Sequence, residues 1–115
     1  MTFFGRKILF IGAHPDDIEL GCGALIAHIA GKTDLLCVTL SDNQKNPLLT
    51  HLVDEHYRSM ETLGVPRDHV ILGPFETRRF PQARQEILEY FIQLNHSYHP
   101  EIILVHTKAD IHQDH

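Results

Sequence analysis

The sequence has few cysteines and lacks both a long apolar run and a signal-peptide cleavage site. It contains two cysteines, Cys22 and Cys37, among 115 residues, too few for a disulfide framework and typical of reduced thiols in a cytosol-like compartment. No apolar run approaches the roughly 18–20 residues of a membrane span. The short run from Ile8 to Ala13 lacks a signal-peptide cleavage site. We therefore expect a cytoplasmic protein without a membrane span.

Positive charge is also scarce. Ten basic side chains stand against 15 acidic ones, and the formal net charge is −5. Nucleic-acid and anionic-membrane surfaces need clustered Lys and Arg, so we expect no nucleic-acid partner. The hydrophobic content of 43% excludes a disordered or low-complexity chain and indicates one compact domain over residues 1–115.

Short apolar runs separated by helix-like sequence predict the fold. Each run has the continuous hydrophobicity of a strand that is buried on both faces. The predicted strands are Lys7–Ala13, Thr33–Leu40, Val70–Leu72 and Glu101–Val105. The predicted helices are Ile18–Ala30, a second from Asn46-Pro47 to Leu63, and a third that begins at Pro81. This alternation indicates a Rossmann-like α/β fold, with a parallel sheet covered by helices on both faces.

Apolar positions recur at about the helical period in the second and third predicted helices. The apolar stripe of the second helix is Leu49, Leu52, Val53, His56, Met60 and Leu63, and the buried stripe of the third would be Ile87, Leu88, Phe91 and Ile92. Gly21-Cys22-Gly23 lacks the spacing of a dinucleotide fingerprint, and close packing of a helix on a strand explains these glycines better. Seven histidines are expected to be surface or half-buried side chains rather than ligands: His28, His51, His56, His69, His96, His99 and His106.

Two polar clusters follow predicted strands. Ala13-His14-Pro15-Asp16-Asp17 comes directly after the first strand, and Asp110-Ile111-His112-Gln113-Asp114-His115 follows the fourth. Ligands of open α/β sheets bind beyond the carboxyl ends of the strands, so the topology predicts that the clusters converge. Their imidazoles and carboxylates suit a catalytic zinc site, which takes three protein ligands and leaves a fourth position for water.

Each cluster taken alone also has a simpler interpretation. His14 and Asp17, three residues apart across a turn, can face one point while Asp16 faces a reacting water. An Asp pair after a strand is equally typical of a helix N-cap. His112 and His115 would share a face of a helix that begins there, but a His-rich end is typical of a solvated terminus. The two clusters together favour the metal site.

Both motifs resemble those of the PIG-L/LmbE-like zinc-dependent de-N-acetylases. The run from Ala13 to Gly23 is similar to the first motif of that family, and His112-Gln113-Asp114-His115 is similar to its downstream motif. The second predicted helix also resembles the family's, through Glu55, Ser59 and Leu63-Gly64-Val65, although Leu52 stands where many members carry Arg.

The resemblance implies a reaction and the residues that perform it. The zinc ligands would be His14, Asp17 and His115. Asp16 would be the general base that activates water. His112 would polarise the amide carbonyl or protonate the leaving amine, and Asp114 would orient His112. The implied reaction is hydrolysis of the N-acetyl group of a small acetylated amino sugar, typically an N-acetylglucosamine-type sugar or glycoconjugate.

Family members are usually nearly twice this length, and the chain stops at the last implied ligand, His115. We therefore expect a sheet that is incomplete at its C-terminal end, with weak or no turnover by this chain. An unfinished sheet edge also favours self-association, which leaves a homo-oligomer open. Two other functions stay open. Two histidines and a carboxylate also suit a non-haem iron(II) enzyme, and a non-catalytic α/β module could hold a metal or a small anion without turnover.

Overall fold

A computed structural model of the chain describes residues 5–41 and 52–105. The strands are β1 (Lys7–Gly12), β2 (Asp34–Thr39), β3 (Val70–Leu72) and β4 (Ile102–Leu104). The helices are α1 (Asp17–Ile29), α2 (Leu52–Thr62) and α3 (Arg84–Tyr98), with single 3-10 turns at Arg67–His69 and Pro81–Ala83. The predicted helix start at Asn46-Pro47 and the predicted stripe position Leu49 lie outside the described residues.

The four strands form one parallel sheet in the order β3-β2-β1-β4. Ile8 of β1 lies opposite Leu35 of β2 on one side and opposite Ile102 of β4 on the other. The strand order reverses at β1, because the chain runs outward to β3 and then crosses back to the other side of β1. Ligands of doubly wound sheets bind at such a reversal, beyond the carboxyl ends of the strands. The parallel α/β fold predicted from the apolar runs is confirmed.

Helices cover both faces of the sheet, as predicted. Side chains alternate along β1, so Ile8 and Phe10 face one way and Leu9 the other. The core under α1 and α2 comprises Ile8, Phe10, Ile18, Ile26, Ile29, Leu35, Cys37, Met60, Val65 and Val70. The core under α3 comprises Leu9, Ala13, Val38, Leu40, Phe80 and Leu94. None of the described helices is both long and apolar enough to cross a membrane.

The predicted buried stripe of α3 is wrong at two of its four positions. Leu88 is 51% exposed and Ile92 is 48% exposed, whereas Leu94 is buried. The side chains of α3 that pack against the core are Ile87, Tyr90, Phe91, Leu94 and Tyr98. Ile87 and Phe91 belong to both the predicted and the observed stripe. Tyr90 and Tyr98 complete the observed stripe, which packs on the sheet. Their aromatic rings bury apolar area although their hydroxyl groups are polar.

Truncating Leu94 should therefore cost far more stability than truncating Leu88. We expect Leu94→Ala to lower the free energy of unfolding by about 2–4 kcal/mol, because it leaves a cavity in the core. Leu88→Ala serves as the matched control and should cost less than about 1 kcal/mol. Urea denaturation of both variants measures the difference, and equal costs would contradict the assigned packing face.

The close packing expected at Gly21-Cys22-Gly23 is also wrong. A Cβ atom on Gly21 would meet nothing within 4 Å, and one on Gly23 would approach Leu63 at an ordinary 3.9 Å. Gly73 does permit a close approach, since its Cβ would lie 2.8 Å from the Leu40 carbonyl oxygen. The chain leaving β3 therefore passes directly over the end of β2.

Candidate active site

A tight turn joins β1 to α1. Asp16 has a φ angle of 83°, in the left-handed region, which is uncommon for a residue with a side chain and often marks a functional site. The Leu20 amide donates to the Asp16 carbonyl at 2.9 Å. A Cβ atom on Gly12 would lie 3.0 Å from the Ile18 side chain, so glycine lets the first turn of α1 approach β1.

The two aspartates of this turn do not act as a simple helix cap. Asp16 occupies the N-cap position, but its exposed side chain makes no capping hydrogen bond. The Asp17 side chain turns back to the end of β1, where its Oδ2 accepts hydrogen bonds from the amides of Ala13 at 3.0 Å and His14 at 2.9 Å. Backbone amides thus fix the Asp17 carboxylate, while the Asp16 carboxylate faces solvent.

His14 and Asp17 have the chemistry and spacing of two metal ligands. The His14 Nδ1 lies 3.8 Å from the Asp17 Oδ2, and the two side chains are 13% and 18% exposed. Zinc binds imidazole nitrogen and carboxylate oxygen at about 2.0–2.2 Å, so one ion can reach both atoms. Within residues 5–41 and 52–105, no group of three potential ligands is present. The other predicted site residues, His112, Asp114 and His115, lie outside the described residues.

Aromatic side chains form a wall behind His14. Its ring lies 5.7 Å from that of Phe80, which is buried. Phe75 contacts Phe80 edge-on at 6.2 Å and Tyr90 at 5.5 Å. Contacts between aromatic rings thus run from Tyr90 of α3 through Phe75 and Phe80 to His14. They limit the access of water to one side of the imidazole.

The loop that carries Phe80 is tied to the ends of β1 and β2. The Ser41 hydroxyl, which is buried, lies 2.8 Å from the Thr77 hydroxyl, and the Ser41 amide donates to the Ala13 carbonyl at 2.9 Å. The amide of Gly73 donates to the Thr39 carbonyl at 2.7 Å. Sequence analysis missed this loop, because hydrophobic periodicity carries no information on how an irregular segment returns to the sheet.

His56 corrects a sequence-based expectation. It was expected to be a surface or half-buried histidine, but it is 2% exposed. Its Nδ1 lies 3.2 Å from the Glu19 Oε2, and its Nε2 lies 3.5 Å from the Thr39 hydroxyl. Its place in the apolar stripe of α2 was the available signal, since a titratable residue on a buried face needs a polar partner.

The Glu19 carboxylate is charged although it is largely buried. Burial raises its pKa, but hydrogen bonds from His56 and Ser59, together with the attraction of His56, outweigh burial and hold the pKa of Glu19 below its usual value. The Oε1 atom of Glu19 is buried without a hydrogen-bond partner among the described residues. The contact with His56 is therefore central to keeping this charge inside the fold.

Burial disfavours the thiolate form of both cysteines. Burial, with a smaller effect of the Glu19 charge, raises the pKa of the Cys37 thiol to about 12, and burial also raises the pKa of Cys22. Both thiols are unpaired, and Cys37 is buried in the core. Cys22 is half-buried and packs against the same core.

Of two hollows in the described structure, the smaller is lined in part by Asp17 and the larger is not. A small one of about 70 Å³ lies between α1, β1 and β4 and is lined by Phe10, Ile11, Asp17, Ile18, Cys22, Leu104 and Val105. A larger one of about 710 Å³ lies at the opposite edge of the sheet, where the strands begin, and includes Lys32, Glu61 and His69. Ligands of open α/β sheets bind beyond the carboxyl ends of the strands, so we place the candidate site at the carboxyl edge and not at the larger hollow.

Known proteins resemble this chain in sequence. The family model described as PIG-L: GlcNAc-PI de-N-acetylase matches residues 9–115. The Escherichia coli protein named uncharacterized deacetylase YaiS is 38% identical over 116 residues, which is 96% of this chain and 62% of that protein. The chain thus spans less than two thirds of the length of this curated relative.

Solved structures resemble it in fold. N,N'-diacetylchitobiose deacetylase from Pyrococcus horikoshii, in complex with its inhibitor MPG, has a TM-score of 0.81 at 20% identity, over 96% of this chain and 45% of that one. A conserved protein from Thermus thermophilus has a TM-score of 0.70 at 22% identity, over 96% and 50%. These structures share the fold, and the family match includes the turn from His14 to Asp17. The chain belongs to the PIG-L family, whose model carries the description GlcNAc-PI de-N-acetylase.

Proposed function

We propose that the protein is a zinc-dependent hydrolase that removes the N-acetyl group of an N-acetylglucosamine-type sugar or glycoconjugate. One observation carries the proposal. At the carboxyl edge of the sheet, two backbone amides hold the Asp17 carboxylate 3.8 Å from the His14 imidazole. A fixed carboxylate beside an imidazole suits zinc, and family membership makes deacetylation the first reaction to test.

The proposed ligands are His14, Asp17 and His115. His14 and Asp17 belong to the described turn, and β4 ends beside β1 at the same edge, which supports the approach of a segment that follows β4. When bound, zinc lowers the pKa of a coordinated water towards about 7 and so supplies hydroxide at neutral pH. The aromatic wall at Phe80 would keep one side of His14 dry, which strengthens its interaction with a cation.

The proposed roles of the remaining residues follow from proton balance. Asp16 accepts a proton from the water, whose oxygen forms the new bond to the acetyl carbon. His112 stabilises the charge that develops on the carbonyl oxygen or donates a proton to the leaving nitrogen. Asp114 orients His112. Cleavage of the carbon–nitrogen bond then releases acetate and a free amine.

The metal content of the purified, metal-reconstituted protein tests this proposal. We expect about one zinc per chain by elemental analysis, and its loss in Asp17→Ala and Asp17→Asn. The Asn side chain keeps an oxygen that can accept the two backbone hydrogen bonds, so it separates loss of a ligand from loss of the turn. Circular dichroism must show that each variant is folded.

Asp68→Ala is the matched control, because it removes an exposed carboxylate that lies before β3, far along the chain from the turn. It should retain zinc. Because we expect weak or no turnover by residues 1–115 alone, a zinc-loaded longer form of the protein should release acetate from an N-acetylglucosamine-type substrate. Bound zinc without release of acetate from any acetylated amino sugar would favour the binding-module alternative, and dependence on oxygen would favour the iron alternative.

We also propose that the protein acts in the cytoplasm on a small acetylated amino sugar, as a monomer or a homo-oligomer. The unpaired thiols of Cys22 and Cys37 support a reducing compartment. The exposed side chains of Ile103 and Val105 at β4 support self-association.

A further inference from the structure

The first turn of α1 has few side chains that can hold it in place. Ile18 is buried, but Leu20 is 86% exposed, and Asp17 points back to the strand end. Glu19 is the remaining side chain of that turn, and its contact with His56 reaches across to α2. The helix side of the turn is therefore attached to the rest of the fold through Ile18 and Glu19.

Burial and a second polar contact hold the His56 side chain in place. Its side chain is fully buried and lies on α2, whose Met60 belongs to the core one turn further on. Its second ring nitrogen lies 3.5 Å from the Thr39 hydroxyl at the end of β2. Thr39 pairs with Gly12, the last residue of β1. The ring thus connects α2 with the first turn of α1 and with the end of β2.

The conformation of Asp16 needs such support. A residue with a side chain in the left-handed region is strained and persists only where its surroundings enforce it. Hydrogen bonds from Ala13 and His14 to Asp17 act on the strand side of Asp16. The contact between Glu19 and His56 acts on its helix side, and it is directional, which the apolar packing of Ile18 is not.

We propose that His56 is a positioning residue, which acts through Glu19 to fix the first turn of α1 and with it the Asp16–Asp17 carboxylates. The consequence for zinc binding rests on the proposed function, whereas the consequence for the turn does not. The pair acts as an outer partner of a metal ligand does, because it orients the element that carries the ligand.

A double variant separates positioning from stability. Glu19→Leu/His56→Leu replaces both polar partners with apolar side chains, a change that is often neutral or stabilising for a buried ion pair. It should fold even if His56→Ala, which leaves a buried carboxylate unpaired, does not. His56→Asn is the conservative variant, since its amide nitrogen can stand near the place of Nδ1 and donate to Glu19.

The readout is hydrogen exchange at the amides of Ala13 and His14, which reports whether the Asp17 carboxylate is in place. In the double variant, we expect the protection factors of these two amides to fall by about tenfold or more beyond the fall that its change in global stability explains. His56→Asn should recover most of that protection. The matched control is Met60→Ala, which removes a buried side chain of the same helix without touching Glu19. Its loss of protection should follow global stability alone.

Zinc affinity is the second readout. The dissociation constant should rise by about 10–100-fold in the double variant and by much less in Met60→Ala. Unchanged protection in the double variant, or an equal relative loss in Met60→Ala, would overturn the positioning role. A wild-type protein that binds no zinc would overturn the proposed function instead, and the exchange data would still decide the role of His56.

Discussion

Replacing Asp16 by Asn in a longer, active form of the protein is expected to lower the rate of acetate release by about 10²–10⁴-fold, the usual contribution of a general base. The change should leave the fold intact, because Asn is among the residues that best tolerate the left-handed conformation found at Asp16. It should also leave bound zinc in place, since Asp16 is not a proposed ligand. The measurement is kcat for acetate release, with zinc content determined on the same samples.

Asp68→Asn is the control for this substitution, because it makes the same chemical change on an exposed residue away from the turn. Its rate should match that of the unaltered protein. An Asp16→Asn variant that keeps its rate within about tenfold would show that another group accepts the proton. Loss of zinc in that variant would instead give Asp16 a part in metal binding.

Truncation of Phe10 should have the largest effect on stability. Phe10 is 1% exposed and lies in β1, between β2 and β4. We expect Phe10→Ala to lower the free energy of unfolding by about 3–5 kcal/mol, because it removes a large buried ring and leaves a cavity. That cost is a large part of the about 5–15 kcal/mol that stabilises a typical domain. Urea denaturation, fitted for both the midpoint and the slope, measures it.

Phe10→Leu is the matched variant, since it keeps most of the volume, and it should cost less than about 1.5 kcal/mol. Phe10 also lines the small hollow beside Asp17, so the Ala variant should enlarge that hollow. A cost of under about 1 kcal/mol for Phe10→Ala would contradict the central, doubly covered position of β1.

The strands and the sheet could be predicted because each is encoded locally. Buried parallel strands are continuous apolar runs, and the run from Ile8 to Ile11 has that pattern. The packing face of α3 could not be predicted in the same way. Two overlapping stripes share Ile87 and Phe91, and the choice between them depends on whether Tyr90 or Leu88 meets the sheet. That choice is made by the tertiary packing and not by hydropathy.

The candidate site was predictable in part. His14 and Asp17 are close in sequence, and a turn after a strand brings them together without any knowledge of the rest of the fold. Glu19 and His56 lie on different helices, so their contact depends on how α1 and α2 pack on the sheet. The contact between His14 and Phe80 depends on an irregular loop, whose path the sequence pattern does not encode.

The central position of β1 has a consequence for the order in which the molecule assembles as it leaves the ribosome. One edge of β1 pairs with β2, where Ile8 lies opposite Leu35. The other edge pairs with β4, where Ile8 lies opposite Ile102, which is synthesised much later. The hydrogen bonds from the Ala13 and His14 amides to the Asp17 carboxylate lie within residues 13–17. These local bonds can therefore form early in a nascent chain, whereas the contact of Glu19 with His56 and the packing of Phe80 on His14 come only with the later segments. Until β4 docks, one edge of β1 stays unpaired, which makes this interval the stage at which chaperones matter most.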